Sequence, residues 1–405
     1  MRLESDNLSS KMGWRSDLRV ALVHYWHMKR RGGERVLEVL ADLYPQADIF
    51  MIVYDPSTLS CSIKSHKISG SFLQKLPQVK RYYRVLLPFF PLALEQFELD
   101  DYDVVISHEA GPVKGILTRT STCHICYSHT PMRYLWDMYY NYKATAPLGV
   151  LGKAYYSLVC HYVRQWDYAA AARVDHYVAS SQNGARRIRK YYGRNSDVIY
   201  PPVDISSFST SDSQDDFYLV VSPLVPYKRI DLAVEACSTL GRRLIVIGEG
   251  QQRASLQKIA GPTVNFLGFQ PDKVVREHYR RCRALLFPGE EDIGLTPIEA
   301  QASGRPVIAY GRGGALETVL GFYPGESISQ ETDTGVFFQE QSAESLTEAI
   351  RAFEAAEERF SPAVIRNHAR QFDEQHFRNR FARFVHSKWH EFNSPVTDGQ
   401  SVLSD

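Results

Sequence analysis

The chain has 405 residues, 44% of them hydrophobic and 23% charged, which suits a globular protein and excludes a disordered or collagen-like one. Its 47 Lys and Arg against 46 Asp and Glu leave a net charge of +1, so no global field draws it to nucleic acid or to an acidic polymer. At roughly 150 residues per domain, the length suggests two or three domains.

Residues 1–17 are polar and charged, without the apolar core of a secretion signal. Leu18–Tyr25 then reads as a strand, Gly32 and Gly33 follow, and Glu34–Tyr44 carries Val36, Leu37, Val39, Leu40 and Leu43 at helical spacing. Further strands are expected at Asp48–Tyr54, Asp103–Ser107, Cys123–Ser128 and His176–Ala179. Between Asp48–Tyr54 and Asp103–Ser107 lies Cys61–Arg84, with Lys64, Lys67, Lys75, Lys80, Arg81, Arg84 and no acid. The apolar Val85–Leu94 follows it directly, interrupted by two prolines and far short of the roughly 20 residues of a spanning helix. Cations beside bulky apolar residues suit an anionic membrane surface, although a solvated face followed by a core helix would look the same.

The rhythm restarts at Phe217–Ser222 and runs through Arg243–Gly248, Val264–Gly268, Ala284–Pro288 and Pro306–Tyr310. Strands alternating with helices predict parallel sheets covered on both faces, and two such series predict two doubly wound α/β domains. The expected division is an N-terminal domain over 1–204, a Ser/Asp-rich linker over 205–216, a C-terminal domain over 217–380, and a C-terminal helix with a disordered tail over 381–405. Ligands of open α/β sheets sit at the carboxyl ends of the strands, so a cleft between two such domains is the expected site. The 12% aromatic content, with 24 Tyr, supplies surfaces for rings or sugars, and six scattered cysteines fit a reduced cytosolic protein.

The chemistry concentrates in two segments of the second series. In Phe287–Gly311 a strand ends in a loop bearing Glu290, Glu291 and Asp292, and a helix starts near Thr296 and Pro297. Glu291 lies on the loop and Glu299 on the helix, while the amides of Gly294, Leu295 and Thr296 at the helix start form an anion site. Spacing alone leaves a solvated acidic loop equally open. In Val220–Asp231, Lys228 and Arg229 follow a proline-bounded turn at a strand's carboxyl end. There they suit a diphosphate, or else face solvent as a basic pair.

In the first series, Gly32 and Gly33 would let a backbone approach a phosphate closely. After Cys123–Ser128 comes HTPMRYLWD, with His129 at the strand end and Arg133, Tyr134, Trp136 and Asp137 offering sugar-stacking faces and hydrogen-bond partners. Three features read as decoys. Asp101-Tyr102-Asp103 is a capping or turn element rather than a metal motif, and Cys123 and Cys126 are buried thiols rather than half a zinc site. Gly248-Glu249-Gly250 is a tight turn that lacks the full dinucleotide fingerprint.

Taken in order, GGERVLEVLADLYP, VDHYVASSQNGARRIRKYYG, VIYPPVD, VVSPLVPYKRID, VIGEG, VNFLGF and the Glu-x7-Glu segment resemble the retaining family-four glycosyltransferases of the GT-B fold, over nearly the whole chain. The resemblance implies two Rossmann-like domains facing a central cleft, and sugar transfer from a nucleotide donor with retention of configuration and no metal or other cofactor. It implies that Glu291 meets the donor sugar, Glu299 the ribose, Lys228 the diphosphate and His129 the donor sugar. The backbone of Asn265–Phe269, including Asn265, Phe266 and Gly268, would line the nucleobase pocket. One position departs from the family: Pro223 stands where an arginine is common, so either Arg229 supplies the second charge or the diphosphate is held less firmly. HTPMRYLWD looks like the subset that builds O-antigens and exopolysaccharides, often mannosyltransferases using GDP-mannose. A lipid-linked glycan acceptor on the inner face of the cytoplasmic membrane is then expected, with no nucleic acid partner. An epimerase or hydrolase of the same architecture, or a non-catalytic sugar-nucleotide-binding subunit, remains the alternative.

Overall fold

The computed structural model describes residues 18–29, 32–108, 111–146 and 148–394; the expectations for the polar N-terminus and for the tail beyond 394 lie outside the described residues. The chain divides into two compact units. The first comprises residues up to Ser180, Gly184–Ile199 and those from Arg378 onward; the second comprises Ser181–Asn183 and Tyr200–Phe377.

The first unit is built on a seven-stranded parallel sheet of order β3-β2-β1-β4-β5-β6-β7. Its strands are β1 (Val20–His27), β2 (Asp48–Tyr54), β3 (Ile68–Gly70), β4 (Val104–His108), β5 (Cys123–Ser128), β6 (His176–Ala179) and β7 (Asp197–Val198). Helices α1 (Gly32–Leu43), α2 (Val150–Ala170) and α3 (Gln182–Tyr192) belong to this unit or bridge its strands. The second unit repeats the plan, with order β10-β9-β8-β11-β12-β14-β13. Here the strands are β8 (Tyr218–Val221), β9 (Leu244–Ile247), β10 (Val264–Gly268), β11 (Leu285–Phe287), β12 (Val307–Tyr310), β13 (Gly321–Phe322) and β14 (Gly335–Phe338). Helix α4 (Ile230–Leu240) follows β8, α5 (Leu295–Ala302) follows β11, and α6 (Glu374–Asn393) ends the described chain.

All inter-strand pairings are parallel, so both sheets must be covered on both faces, and their strands read as nearly continuous apolar runs. Every strand expected from the sequence is present, with ends shifted by at most two residues. The strands that the sequence did not mark are β3, β7, β13 and β14, of two to four residues.

Two boundaries differ from the expected ones. The first series ends at Ile199 rather than Asp204, and 205–216 is part of the second unit: its Ile205 and Phe208 are buried in that unit's core. Apolar residues spaced through a Ser/Asp-rich stretch outweigh its composition. Helix α6 begins at Glu374, before the expected 381, and from Arg378 onward it belongs to the first unit. There Phe381 packs edge-on to Tyr127 and Arg378 pairs with Asp42 at 3.1 Å.

A buried polar knot anchors α2. Asp167 is fully buried and contacts the Lys114 ammonium, while its other oxygen accepts from Trp136 Nε1 and Tyr192 Oη, each at 2.9 Å. Such a pair is costly to break, because the survivor is a buried unpaired charge. Asp167→Ala is therefore expected to destabilise the protein by about 3–5 kcal/mol in chemical denaturation, and the double variant Lys114→Met/Asp167→Leu by markedly less.

Candidate functional site

In each sheet the strand order reverses between the first and fourth strands, and ligands of doubly wound sheets bind outside the carboxyl ends at that switch point. In the second unit the switch lies between β8 and β11, so the loops that matter are Ser222–Arg229 and Pro288–Gly294. The backbone forces them together. A Cβ on Gly289 would lie 3.0 Å from Lys228 Cα, so glycine is what lets the second loop press on the first. On the far side, a Cβ on Gly248 would come within 2.0 Å of the Ser222 carbonyl oxygen, and Leu224 N donates to the Glu249 carbonyl at 3.0 Å.

Held between these loops, Lys228 reaches Glu291 and forms an ion pair, its side chain 14% exposed and that of Glu291 19%. The two residues singled out in separate segments are thus brought into direct contact. Arg229 follows in the left-handed region (φ 51°), a conformation that β-carbon sterics disfavour and that marks a constrained turn. Its guanidinium is committed to Asp231, through Nε at 3.2 and 3.1 Å and Nη2 at 3.0 Å, and Nη1 reaches the Gln341 carbonyl at 3.4 Å. Arg229 is therefore neutralised by its neighbour in this structure.

Gly294 (φ +76°) turns the chain into α5, and no side chain caps that helix. The amides of its first turn, from Leu295 and Thr296, therefore end the helix without a side-chain acceptor, as an anion site requires. Glu299 lies one turn in, and its carboxylate accepts from Tyr279 Oη at 2.8 Å. The Tyr279 side chain is fully buried, so this hydrogen bond orients Glu299. Asn265, Phe266 and Gly268 lie on β10, an edge strand two places from β8. Asn265 is exposed, Phe266 is packed partly against the core, and the Gly268 carbonyl accepts from Gly248 N at 2.8 Å.

In the first unit the switch point lies between β1 and β4, and it is lined with histidine. His24 Nδ1 is 3.1 Å from His108 Nδ1, and His108 Nε2 is 3.1 Å from His129 Nε2, just beyond β5. Burial holds these rings neutral: His24 is lowered to about 3 and His129 to about 4, His108 lies well below the usual range, and His124 on β5 is lowered to about 4. Gly32 and Gly33 open α1 after β1, with the buried Glu34 in the same first turn.

The acceptor-side group is bound up internally. Trp136 donates to Asp167 and stacks on Tyr191 at 4.8 Å between ring centroids. Asp137 pairs with Arg187 at 2.8 Å and with Arg133 at 4.0 Å, and Tyr134 Oη contacts Met132 Sδ at 3.0 Å. Their expected contact with a sugar would require these partners to be shared or exchanged.

Among the decoys, Tyr102 N donates to the Leu99 carbonyl at 3.3 Å in a turn, while Asp103 accepts from Arg19 N at 2.8 Å and Tyr102 Oη donates to Asp48. Cys123 and Cys126 are buried thiols raised to about 12 and about 11 by burial. Among the described residues no group of three or more His, Cys, Asp and Glu is arranged to hold a metal ion. Residues that sequence reasoning missed are Tyr279, Gly289, His24 and His108. Gly289 directly precedes the acidic loop and carried a usable signal; the others are indistinguishable from core residues until the strands are aligned.

Two parallel sheets of this order define a pair of Rossmann-like units, the second with a lysine–glutamate ion pair and a helix start without a side-chain cap at its switch point. A family model described as Glycosyltransferase Family 4 matches residues 30–207, and one described as Glycosyl transferases group 1 matches 204–372. The chain belongs to the family-four glycosyltransferases of the GT-B fold. It is 25% identical over 274 residues to the alpha-1,3/1,6-mannosyltransferase of Saccharomyces cerevisiae, covering 54% of each chain. It is 34% identical over 100 residues to a GDP-mannose-dependent alpha-mannosyltransferase of Mycobacterium tuberculosis, covering 24% of this chain and 26% of that one. The matched stretches thus span about half or less of these relatives. In fold it is similar to sucrose-phosphate synthase from Thermosynechococcus elongatus (TM-score 0.65, 18% identity, 92% of this chain and 100% of that one). It is likewise similar to Anabaena HepE in complex with UDP and glucose (TM-score 0.64, 15% identity, 91% and 100%).

The buried imidazoles carry a pH dependence. Unfolded, they take up protons near 6.5, whereas folded His24, His124 and His129 do so only at about 3 to 4. The unfolded chain therefore binds more protons between those values. The stability these rings contribute is complete above 6.5 and is lost as pH falls through that value, by about 2 kcal/mol per ring at pH 5. Calorimetric melting temperature should fall steadily from pH 7 to pH 5; a flat profile would contradict neutral burial.

Proposed function

We propose that the protein is a retaining hexosyltransferase that moves a sugar, mannose from GDP-mannose, onto a lipid-linked saccharide in O-antigen or exopolysaccharide synthesis. The observation that carries this reading is the Lys228–Glu291 contact at the switch point of the second sheet, beside the uncapped start of α5. A diphosphate entering there would take the Lys228 cation, and the amides of Gly294, Leu295 and Thr296 would donate hydrogen bonds to its oxygens. Glu291, released from Lys228, would turn its oxygens to the sugar hydroxyls, and Glu299 would take the ribose diol while Tyr279 holds its other side. The end of β10, two strands from β8 and roughly 10 Å away at strand spacing, lies within a nucleoside's length. Asn265, Phe266 and Gly268 are assigned to the base. His129 is assigned to the sugar, as the family resemblance implies.

In the reaction the acceptor oxygen bonds to the anomeric carbon on the face that the diphosphate leaves. The bond from that carbon to the phosphate oxygen breaks, its electron pair stays on the phosphate, and the acceptor's proton passes to that oxygen. Lys228 and the helix amides stabilise the charge as it develops. No protein nucleophile and no metal has a role in this scheme.

The acceptor is assigned to a membrane surface. Among the described residues no helix is long and apolar enough to cross a membrane, but the first unit exposes an unusual face. On α2 the outward residues Leu151, Tyr155, Leu158 and Tyr162 fall on one stripe and are 55–86% exposed. Leu87 packs against the inner side of the same helix, so Val85 and Phe89, also exposed, lie beside it. Of the six cations of Cys61–Arg84, Lys67 and Lys80 are neutralised by Asp48 and Asp55, while Lys64, Lys75, Arg81 and Arg84 stand at exposed positions. Apolar and aromatic residues beside cations favour an anionic bilayer, here the inner face of the cytoplasmic membrane.

Pro223 and the engagement of Arg229 with Asp231 favour one other reading, a subunit that binds sugar nucleotide without transferring it. Donor binding with no transfer to any acceptor would establish that reading instead. Screening GDP-mannose against UDP- and other GDP-sugars by melting shift identifies the donor. Lys228→Ala and Glu291→Ala are each expected to lower kcat by about 100-fold or more with the fold intact, and near-native transfer in both would reject the assignment. Co-sedimentation with anionic vesicles at low salt is expected for the native protein and should weaken several-fold in Arg81→Glu/Arg84→Glu.

A further inference from the structure

The histidines at the first sheet's switch point form a chain rather than a set of separate contacts. His24 ends the middle of β1 and His108 closes β4, where the two are paired across the strands, and His129 follows β5. His24 and His108 are fully buried and their rings lie nearly parallel (13°, centroids 5.2 Å), while His129 meets His108 edge-on at 5.1 Å. Tyr127 packs against both His108 and His129, and the His129 carbonyl accepts from Ser180 Oγ at 3.1 Å, so the outer ring is fixed in place.

A neutral imidazole has one N–H donor and one bare acceptor nitrogen. Both nitrogens of His108 face other imidazole nitrogens, so its single proton serves one bond and its lone pair the other. Only two proton orders then make both bonds. In the first, His24 donates from Nδ1 to His108 Nδ1, His108 donates from Nε2 to His129 Nε2, and His129 keeps its proton on Nδ1. In the second every bond runs the other way: His129 donates from Nε2, His108 from Nδ1, and His129 Nδ1 is left bare. Changing one ring alone sets two lone pairs or two protons against each other at 3.1 Å, in a buried site where an unmade hydrogen bond is costly. The neighbouring His27 is not part of the chain; its Nδ1 lies 3.0 Å from Thr58 Oγ1.

We propose that His24 and His108 are positioning residues for His129, and that the proton order of this three-ring chain decides whether His129 Nδ1 donates or accepts a hydrogen bond. Through it a buried residue on β1 sets the polarity of a group that meets the sugar. The inference takes from the proposed reaction only that His129 contacts substrate; the chain itself stands on the ring geometry.

The test is nitrogen NMR of the full chain labelled with 15N-histidine at pH 7.5, where two-bond couplings report each ring's tautomer, paired with steady-state kinetics. In the native protein His24 and His129 should show the same tautomer and His108 the opposite one. His24→Phe should turn His129 into a mixture of tautomers and lower kcat tenfold or more while KM for the donor changes less than twofold, and His24→Gln should recover part of kcat. Unlike tautomers at His24 and His129 in the native protein, or a His129 spectrum unmoved by either substitution, would overturn the proposal. Should His24→Phe fail to fold, the native tautomer pattern and His24→Gln decide it. Because the spectra need no turnover, they separate this inference from the assignment of the reaction: an inactive chain with the alternating pattern would retain the relay and reject the transferase reading.

Discussion

The backbone approach at Gly289 is the constraint on which the second unit's chemistry depends. A parallel sheet delivers β8 and β11 side by side, but strands only bring loops near one another. Contact between Lys228 and Glu291 goes with a close approach of the β11 loop to the main chain of the β8 loop, where a Cβ at Gly289 would lie 3.0 Å from Lys228 Cα and force a shift of a few tenths of an ångström. In the ion pair each charge satisfies the other, at low exposure where an unpaired charge would be expensive. A ligand with both anionic and hydroxyl groups can replace the pair with two better-matched contacts, and this suits a sugar attached to a diphosphate.

The two units solve the same geometric problem with opposite electrostatics. Both expose the carboxyl ends of their strands at a reversal of strand order. The second unit places a cation, two carboxylates and helix amides there, while the first places neutral rings whose charging burial suppresses. Charge suits the end to which the proposed reaction assigns the diphosphate. A neutral imidazole suits recognition of a hydroxyl group, and of the three rings it is His129 whose Nδ1 is left outside the chain of ring contacts. The polar residues that sequence inspection offered to the acceptor, Trp136 and Asp137, contribute to the rigidity of the first unit through Asp167 and Arg187.

Exposure on α2 belongs to a different class of feature. A stripe of Leu and Tyr at helical spacing ordinarily marks a core face, yet here the core lies on the other side, where Tyr156, Val159, Cys160 and Val163 pack. The helix is therefore apolar on two faces, one of them covered within the unit.

The sequence by itself determined the elements and their class. Apolar runs of four to eight residues between helical segments can be satisfied only by buried parallel strands, so the doubly wound units and most strand ends were legible. Lys228, Glu291 and Glu299 were singled out as well, but their roles came from the family resemblance, since residue type and spacing alone left solvent-facing readings open. What the tertiary structure decided is everything that depends on which strands are neighbours. Strand order puts Lys228 on Glu291, Tyr279 on Glu299, and His24 of β1, His108 of β4 and His129 just beyond β5 into one line, although they are 84 and 21 residues apart along the chain. It also decided that Arg229 answers to Asp231, that 205–216 belongs to a core, and that α6 is divided between the units. Composition and periodicity describe each residue against its chain neighbours, whereas these outcomes depend on partners that only the crossover connections bring within reach.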